Sequence, residues 1–478
     1  MVQRRSTPGL RIAAFVFVAS WGLTTHGKYS ASGDEPHYLL ISRSLVADRD
    51  LDLANNYASN DGRLIGHDGL VAGPHARQAR DGRLLSTHDI GLPVLLAPVY
   101  AIAAGVAARV PETTIARFRM SRGLLVYALI SLTILGLVSA SVAVLITGLT
   151  YAVDTRTAAA VGAIVALSPP ILSHSFLVFP EAVAFAVACA LVWWMLQPSP
   201  SERATWAIIL ALGLLPWCHR KYSIFVIACA ILMVGGRGRF WRTWPQARRL
   251  AAAGLFAVPH LLLYVWTLAV WGNLGGPQML EGAPFTAIGS ARGFIGFWLD
   301  RQYGLFAYSP LYLLLPACWA IAWSNVRWTA LPVVALVLPM SAFVEWWGGF
   351  SPAARYLVPI IPFCALAIAL ATRSTFIRRA GILLLLPQAV LVGYAWQHPR
   401  TLWPVDDYNP LLTRLGPLGA AYEHALPSLR YGGLGHAFLA GLFLVVVNAG
   451  VAALVRRHER VRADGVEPRV RTHAPVQR

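Results

Sequence analysis

Charge is scarce in this chain of 478 residues: 13% are Asp, Glu, Lys or Arg, against 56% hydrophobic. A soluble fold of this length needs far more polar surface than that, so an aqueous globular domain is excluded. Lysine is nearly missing, with Lys28 and Lys221 the only two among 40 basic residues. Cysteine is sparse as well. Cys189, Cys218, Cys229, Cys318 and Cys364 all fall in apolar stretches without paired spacing, which excludes a disulfide framework or a cysteine zinc site and leaves buried thiols. No internal repeat is visible, and the polar loops are unequal in length, which weakens a transporter built from duplicated halves.

What the chain does have is apolar runs of roughly 16 to 27 residues, and about 20 such residues cross a hydrocarbon core. The expected fold class is therefore an all-α polytopic membrane protein of about 12 transmembrane helices. A first span at 10–25 sits behind a basic start and reads as an uncleaved anchor. Further spans fall near 123–149, 157–172, 181–197, 205–217, 222–236, 250–271, 309–323, 329–344, 356–371, 378–396 and 434–455. Together they make one transmembrane domain over 1–455, with 456–478 as a basic cytoplasmic tail expected to be disordered. The net charge of +18 comes from arginines clustered between spans: Arg4, Arg5 and Arg11; Arg237, Arg239, Arg242, Arg248 and Arg249; Arg373, Arg378 and Arg379; and the tail from Arg456. Short basic clusters of this kind mark cytoplasmic segments under the positive-inside rule and not a nucleic-acid face, so both termini are expected inside.

The segment 91–108, opened by Gly91 and Pro93, leaves two topologies. If it crosses, residues 205–236 form one long span that buries His219, Arg220 and Lys221, while Arg109, Arg117, Arg119 and Arg122 lie inside. If it lies at the interface, 205–217 and 222–236 form a hairpin whose tip carries those three residues to the outer surface. A cation at mid-membrane costs at least about 2.5 kcal/mol, which favours the second arrangement.

Residues 27–90 form the longest polar segment and lie outside in either topology. Within it, the run from Gly33 through Asp34, Glu35, Pro36, His37 and Tyr38 to Leu45 reads as two acids followed by a short amphipathic helix with proline in its first turn. Such a helix is expected to lie on the membrane surface and hold the acids above the lipid. Capping of that helix explains one acid better than two.

An Asp-Glu pair and a surface helix after a single amino-terminal span resemble the GT-C superfamily of lipid-sugar glycosyltransferases, of the protein O-mannosyltransferase and aminoarabinose transferase type. The likeness recurs at Trp347-Gly348-Gly349 and Arg355-Tyr356-Leu357-Val358-Pro359, where such proteins turn an Arg/Tyr-bearing helix end toward the same cavity. It implies a hexosyl- or pentosyltransferase of the cell envelope that moves a sugar from a polyprenyl-phosphate carrier to a lipid, glycan or protein acceptor at the outer membrane face. Asp34 is then the candidate base for the acceptor, with Glu35 as helper or metal ligand. Lys221, Arg220 and Arg355 are the candidates to receive the charge of the departing phosphate.

Other residues have plainer readings beside functional ones. His75 and His88 lack a metal-ligand spacing, so no metal ligand is assigned; surface hydrogen bonding is their ordinary role, and a substrate contact for His88 or a divalent cation shared with the acids remains open. Glu181 starts an apolar span after Pro180 and needs a partner, either the helix dipole or a cavity beside His174. Arg355 is read equally as an interfacial anchor, and Trp298, Trp346 and Trp347 as belt aromatics, with Trp347 a candidate to stack on a sugar. Asp48, Asp50 and Asp52 suggest calcium, but an EF-hand counted from Asp48 has Leu53 and Ser59 where Gly and Glu belong, so a turn is expected. A polytopic transporter or lipid flippase is the alternative function; it predicts ionisable groups near mid-bilayer, which are mostly missing. A lipid-linked sugar polymerase or ligase would use a large late loop, and 397–433, with Asp406, Asp407 and His424, is modest.

Overall fold

The computed structural model describes residues 3–25, 31, 33–235, 239–277, 279, 285–404, 408–431 and 434–464. Asp406, Asp407 and the tail beyond Asp464 lie outside the described residues. The chain is helical nearly throughout. Its one sheet among the described residues is a hairpin of β1 (Ala76–Gln78) and β2 (Leu84–Ser86), antiparallel with Ala76 opposite Ser86.

Six helical stretches among the described residues are long and apolar enough to cross a bilayer: Gly91–Arg109, Arg122–Leu149, Gln246–Trp271, Pro310–Ala342, Thr375–Gln397 and Phe438–Val455. Shorter apolar helices at Pro8–Trp21, Thr155–Ala166, Pro180–Leu196 and Arg355–Ala371 pack among them, so helix length alone does not fix the number of spans at twelve. The outer surface settles the solvent. Ile382, Leu383, Leu386 and Val390 on one helix, and Phe438, Leu439, Phe443 and Val446 on another, are all exposed. Patches that apolar are stable only against lipid, and the protein is a multi-pass membrane protein. All five cysteines are buried thiols.

Helix Gln3–Thr25 runs against Arg122–Leu149, with Gly9 beside Ala143 and Phe17 beside Gly136. Residue 122 therefore lies at the end of the bundle where the first loop begins. Glu35 holds that end together: its Oε1 accepts from Tyr127 Oη at 3.0 Å and from the Val178 amide at 2.8 Å. Helix Gly91–Arg109 is tied there at both ends. A Cβ on Gly91 would sit 2.4 Å from the Trp217 carbonyl carbon, so only glycine permits that approach. At the other end Arg122 donates to the Ala107 carbonyl. A straight helix of 19 residues spans about 27 Å, too long to start and finish at one end of the bundle unless it lies across it. Residues 205–236 correspondingly break into Glu202–Cys218 and Ser223–Gly235, with His219 extended between them. This is the hairpin arrangement, with the basic tip at the loop end.

Helix Glu35–Ala47 differs from its amphipathic reading. Every residue from Glu35 to Ser42 is buried, and Ser42 Oγ donates to the Pro93 carbonyl at 3.0 Å. The helix is enclosed because Gly91–Arg109 lies over it; only its last residues, Val46 and Ala47, are exposed. Asp34 is its N-cap residue, yet its side chain makes no capping bond. The aspartates that follow form the expected turn: Asp50 Oδ1 accepts from Ser44 Oγ and the Asp52 amide, and Asn56 Nδ2 donates to Asp48 and Asp61.

Candidate functional site

Four charged side chains from four separate segments meet beneath the first loop. Arg355 is the centre. Its Nη1 donates to Asp34 Oδ2 at 2.8 Å, and its Nε to Glu181 Oε1 at 2.7 Å. Lys221 Nζ approaches the same Glu181 oxygen at 2.6 Å. Glu181 is fully buried and Lys221 and Arg355 nearly so, whereas the Asp34 side chain keeps 24% exposure. Asp34 is thus the member that solvent reaches.

Local sequence explains each placement. Pro180 opens the helix that carries Glu181, and Lys221 sits in the short turn between two helices. Arg355 follows Ala354, which is left-handed at φ 58°, after a loop in which Gly348 and Gly349 take φ 95° and 64°. That loop turns the Gly348 carbonyl toward the guanidinium, which donates to it at 3.3 Å. Aromatic rings wall the cations: the Arg355 guanidinium lies 4.1 Å from the Phe179 ring centre and Lys221 Nζ 4.7 Å from that of Tyr356.

Burial by itself would raise the Asp34 carboxyl, but the Arg355 guanidinium overrides it and, with His88 and His75 close by, holds it well below the usual carboxylate range. The Lys221 ammonium is pulled down to about 8 by burial, against the opposing pull of Glu181.

On the other side of Asp34 stand three histidines. His75 Nδ1 lies 3.0 Å from His88 Nε2 and 3.9 Å from Asp34 Oδ1. His37 stacks on His75 with ring centres 3.8 Å apart and bonds Tyr57 Oη through Nδ1 at 2.8 Å. Burial pulls His88 down to about 4, and His75 and His37 are lowered for the same first reason.

The remaining candidates divide. Glu35 is buried one residue from Asp34 and is engaged with Tyr127 and Val178 instead of the charged cluster. Arg220 stands apart from its neighbour Lys221: it grips Asp89 at 2.6 Å and donates to the Gly275 carbonyl at 2.9 Å. No hydrogen bond joins Glu181 to His174 among the described residues; His174 Nδ1 bonds the Pro170 carbonyl at 2.9 Å. Trp347 is half-buried, with the Arg430 guanidinium 4.5 Å from its ring centre. Trp298 lines an apolar cavity, and Asp300, adjoining it, is fully buried and not a belt residue. Sequence reasoning did not single out His37, Asp89 or Arg430. The His37 signal was present, two residues into the helix after the acid pair, but hidden by the assumption that this helix was exposed.

The fold and site together define a predominantly helical multi-pass membrane protein with a buried ion-pair network under an elaborated first loop. No family model matches the sequence, and no curated protein matches it. Among solved structures, the chain is similar to crystal structures of ArnT from Cupriavidus metallidurans, one bound to undecaprenyl phosphate and one in the apo state. Each is 14% identical with a TM-score of 0.46; the matches cover 93% of this chain and 74% and 76% of those chains.

Proposed function

We propose that the protein is a membrane glycosyltransferase that takes a sugar from a polyprenyl-phosphate carrier and passes it to an acceptor at the outer face. The observation that carries this reading is the pairing of a solvent-reachable carboxylate, Asp34, with buried Arg355, which shares Glu181 with a second buried cation, Lys221, at a loop end of an apolar bundle. In the transfer, the bond from the anomeric carbon to the phosphate oxygen breaks, an acceptor oxygen bonds to that carbon, and its proton leaves to Asp34. A strongly ionised Asp34 is a weak base, which suits a late proton transfer from an oxygen made acidic by the forming bond. The phosphate leaves with growing negative charge, and Lys221 and Arg355 are fixed cations that need not reorganise to meet it. Glu181 holds both in place. Glu35 serves by fixing the Asp34 backbone against the bundle.

An apolar cavity of about 540 Å³, lined by Phe294, Trp298, Phe306, Leu315, Trp319 and Phe438, supports a lipid carrier. Phe297, on the same helix as Phe294 and Trp298 but outside the lining, meets Tyr356 edge to face at 6.2 Å, and Tyr356 in turn lies against Lys221, so two rings connect the helix that walls the cavity to the cations. It accepts a prenyl chain while the phosphate stays at the polar end. The decisive test is a transfer assay in membranes with labelled polyprenyl-phosphate sugars. Asp34→Asn is expected to lose transfer by about 10²- to 10⁴-fold at normal expression. Unchanged transfer would remove Asp34 as the base.

A further inference from the structure

The three histidines beside Asp34 are not used by the transfer as drawn. They come together through the hairpin: His75 immediately precedes β1, and the register that sets Ala76 opposite Ser86 carries on to a bond from the Thr87 amide to the His75 carbonyl at 2.9 Å. His88 follows, its amide donating to Ser86 Oγ at 3.1 Å. Two imidazoles separated by 13 residues are therefore held face to face on a rigid turn. His37 stacks on His75 and is itself anchored by Tyr57, which fixes the ring plane of His75 from outside the cluster.

One ligand atom from each of Asp34, His75 and His88 lies within 4.8 Å of the other two. Ligands bonded at 2.0–2.2 Å in a tetrahedron stand about 3.3 Å apart, and the observed separations of 3.0 and 3.9 Å bracket that value. The other Asp34 oxygen is occupied by Arg355, the kind of outer bond that orients a ligating carboxylate. None of the three residues is sealed from solvent, so an ion has a way in.

We propose that Asp34, His75 and His88 bind a divalent transition ion of the zinc class, with a fourth position open to an oxygen ligand. Two imidazole nitrogens select against magnesium and calcium, which prefer all-oxygen sets. Two His, one carboxylate and an open position is the arrangement of reactive zinc sites, whereas structural ones are closed by protein ligands. The assignment of an acceptor hydroxyl to the open position rests on the transfer reading; ion binding itself does not. An ion there polarises that hydroxyl and eases its deprotonation, which complements the weakly basic Asp34.

The test is zinc binding by the full chain purified in detergent, stripped by chelator and titrated with zinc alone against a chromophoric chelator. Wild type is expected to take up about one ion per chain, with the absorption of tetrahedral cobalt when Co²⁺ replaces zinc. His75→Ala and His88→Ala should each weaken binding by at least about tenfold, and the double variant should abolish it. Should the histidine variants fail to fold, Asp34→Asn, read in the same titration, should also weaken zinc by at least about tenfold. Wild type that takes up no more zinc than the double variant, or equal affinity in wild type and Asp34→Asn, overturns the site and leaves the contact a His-to-His hydrogen bond. The titration contains no sugar donor, so its outcome is independent of whether transfer is observed.

Discussion

Two buried acidic centres in this molecule are satisfied in opposite ways. Around Asp300, between the segments 300–303 and 427–430, the partners are backbone amides: Gln302 and Tyr303 donate to one oxygen at 2.9 and 2.8 Å, Leu429 and Arg430 to the other at 2.7 and 3.4 Å. Around Glu181 and Asp34 the partners are side-chain cations. An acid that collects backbone amides fixes chain geometry, because those donors cannot leave without unravelling the turn. An acid that collects an ammonium and a guanidinium holds groups whose remaining hydrogens can turn to a ligand. The first centre is a clasp, and the second is the one we propose for the transfer.

The largest effect should come from Arg355→Ala, which leaves Asp34 and Glu181 facing each other without their shared cation. Transfer should fall to background, and stability should drop by about 3–5 kcal/mol, the cost of breaking a buried pair from one side. Thermal unfolding in detergent beside the transfer assay reads both. Lys221→Met comes next, with transfer down by about 10²- to 10³-fold, the loss that follows removal of one preorganised donor. If Lys221→Met transfers normally while Arg355→Ala does not, the phosphate is met by Arg355 alone.

Asp300→Ala should act on stability only, by about 1–3 kcal/mol for amides left without an acceptor. Transfer per folded molecule should be unchanged, and a loss of turnover at full folding would collapse the distinction between the two centres. The smallest and most diagnostic effect concerns pH. Lys221 loses its proton near pH 8 in the folded chain, so transfer should decline tenfold per unit above that point, and Lys221→Arg should flatten the decline. Stability should move the other way. The unfolded chain keeps the lysine proton up to about 10.4, so between these values it binds more protons than the folded one and stability rises with pH. A parallel fall of activity and stability would rule out this ionisation as the cause.

How much of this was readable beforehand varies with the distance between partners in the chain. The Asp-Glu pair at 34 and 35 is legible as a local motif, but the motif offers no means of separating the two: they are adjacent in sequence, and their side chains leave the backbone toward different partners, Arg355 and Tyr127. Lys221, Arg220 and Arg355 are legible together as candidates for a phosphate, with no sign that Glu181 joins the first to the last while Asp89 holds Arg220 apart. Glu181 and Arg355 are 174 residues apart, and no periodicity records that meeting. His75 and His88 are legible as loop histidines that could share a cation with the acids, but their meeting depends on a hairpin register, and His37 joins them only through the burial of a helix whose pattern reads as exposed.

The sequence alone determined the solvent. Its shortage of charge and its long apolar runs admit only lipid around most of the chain, because hydrophobic burial is additive along the sequence and needs no knowledge of partners. Its proline and glycine placements also set where helices start and where the chain turns. Which acids face which cations, whether Gly91–Arg109 crosses or lies flat, and which imidazoles share a site were decided only when distant segments packed. Coulombic pairing and ligand geometry depend on separation in space to within a few tenths of an ångström, a quantity that composition and spacing do not encode.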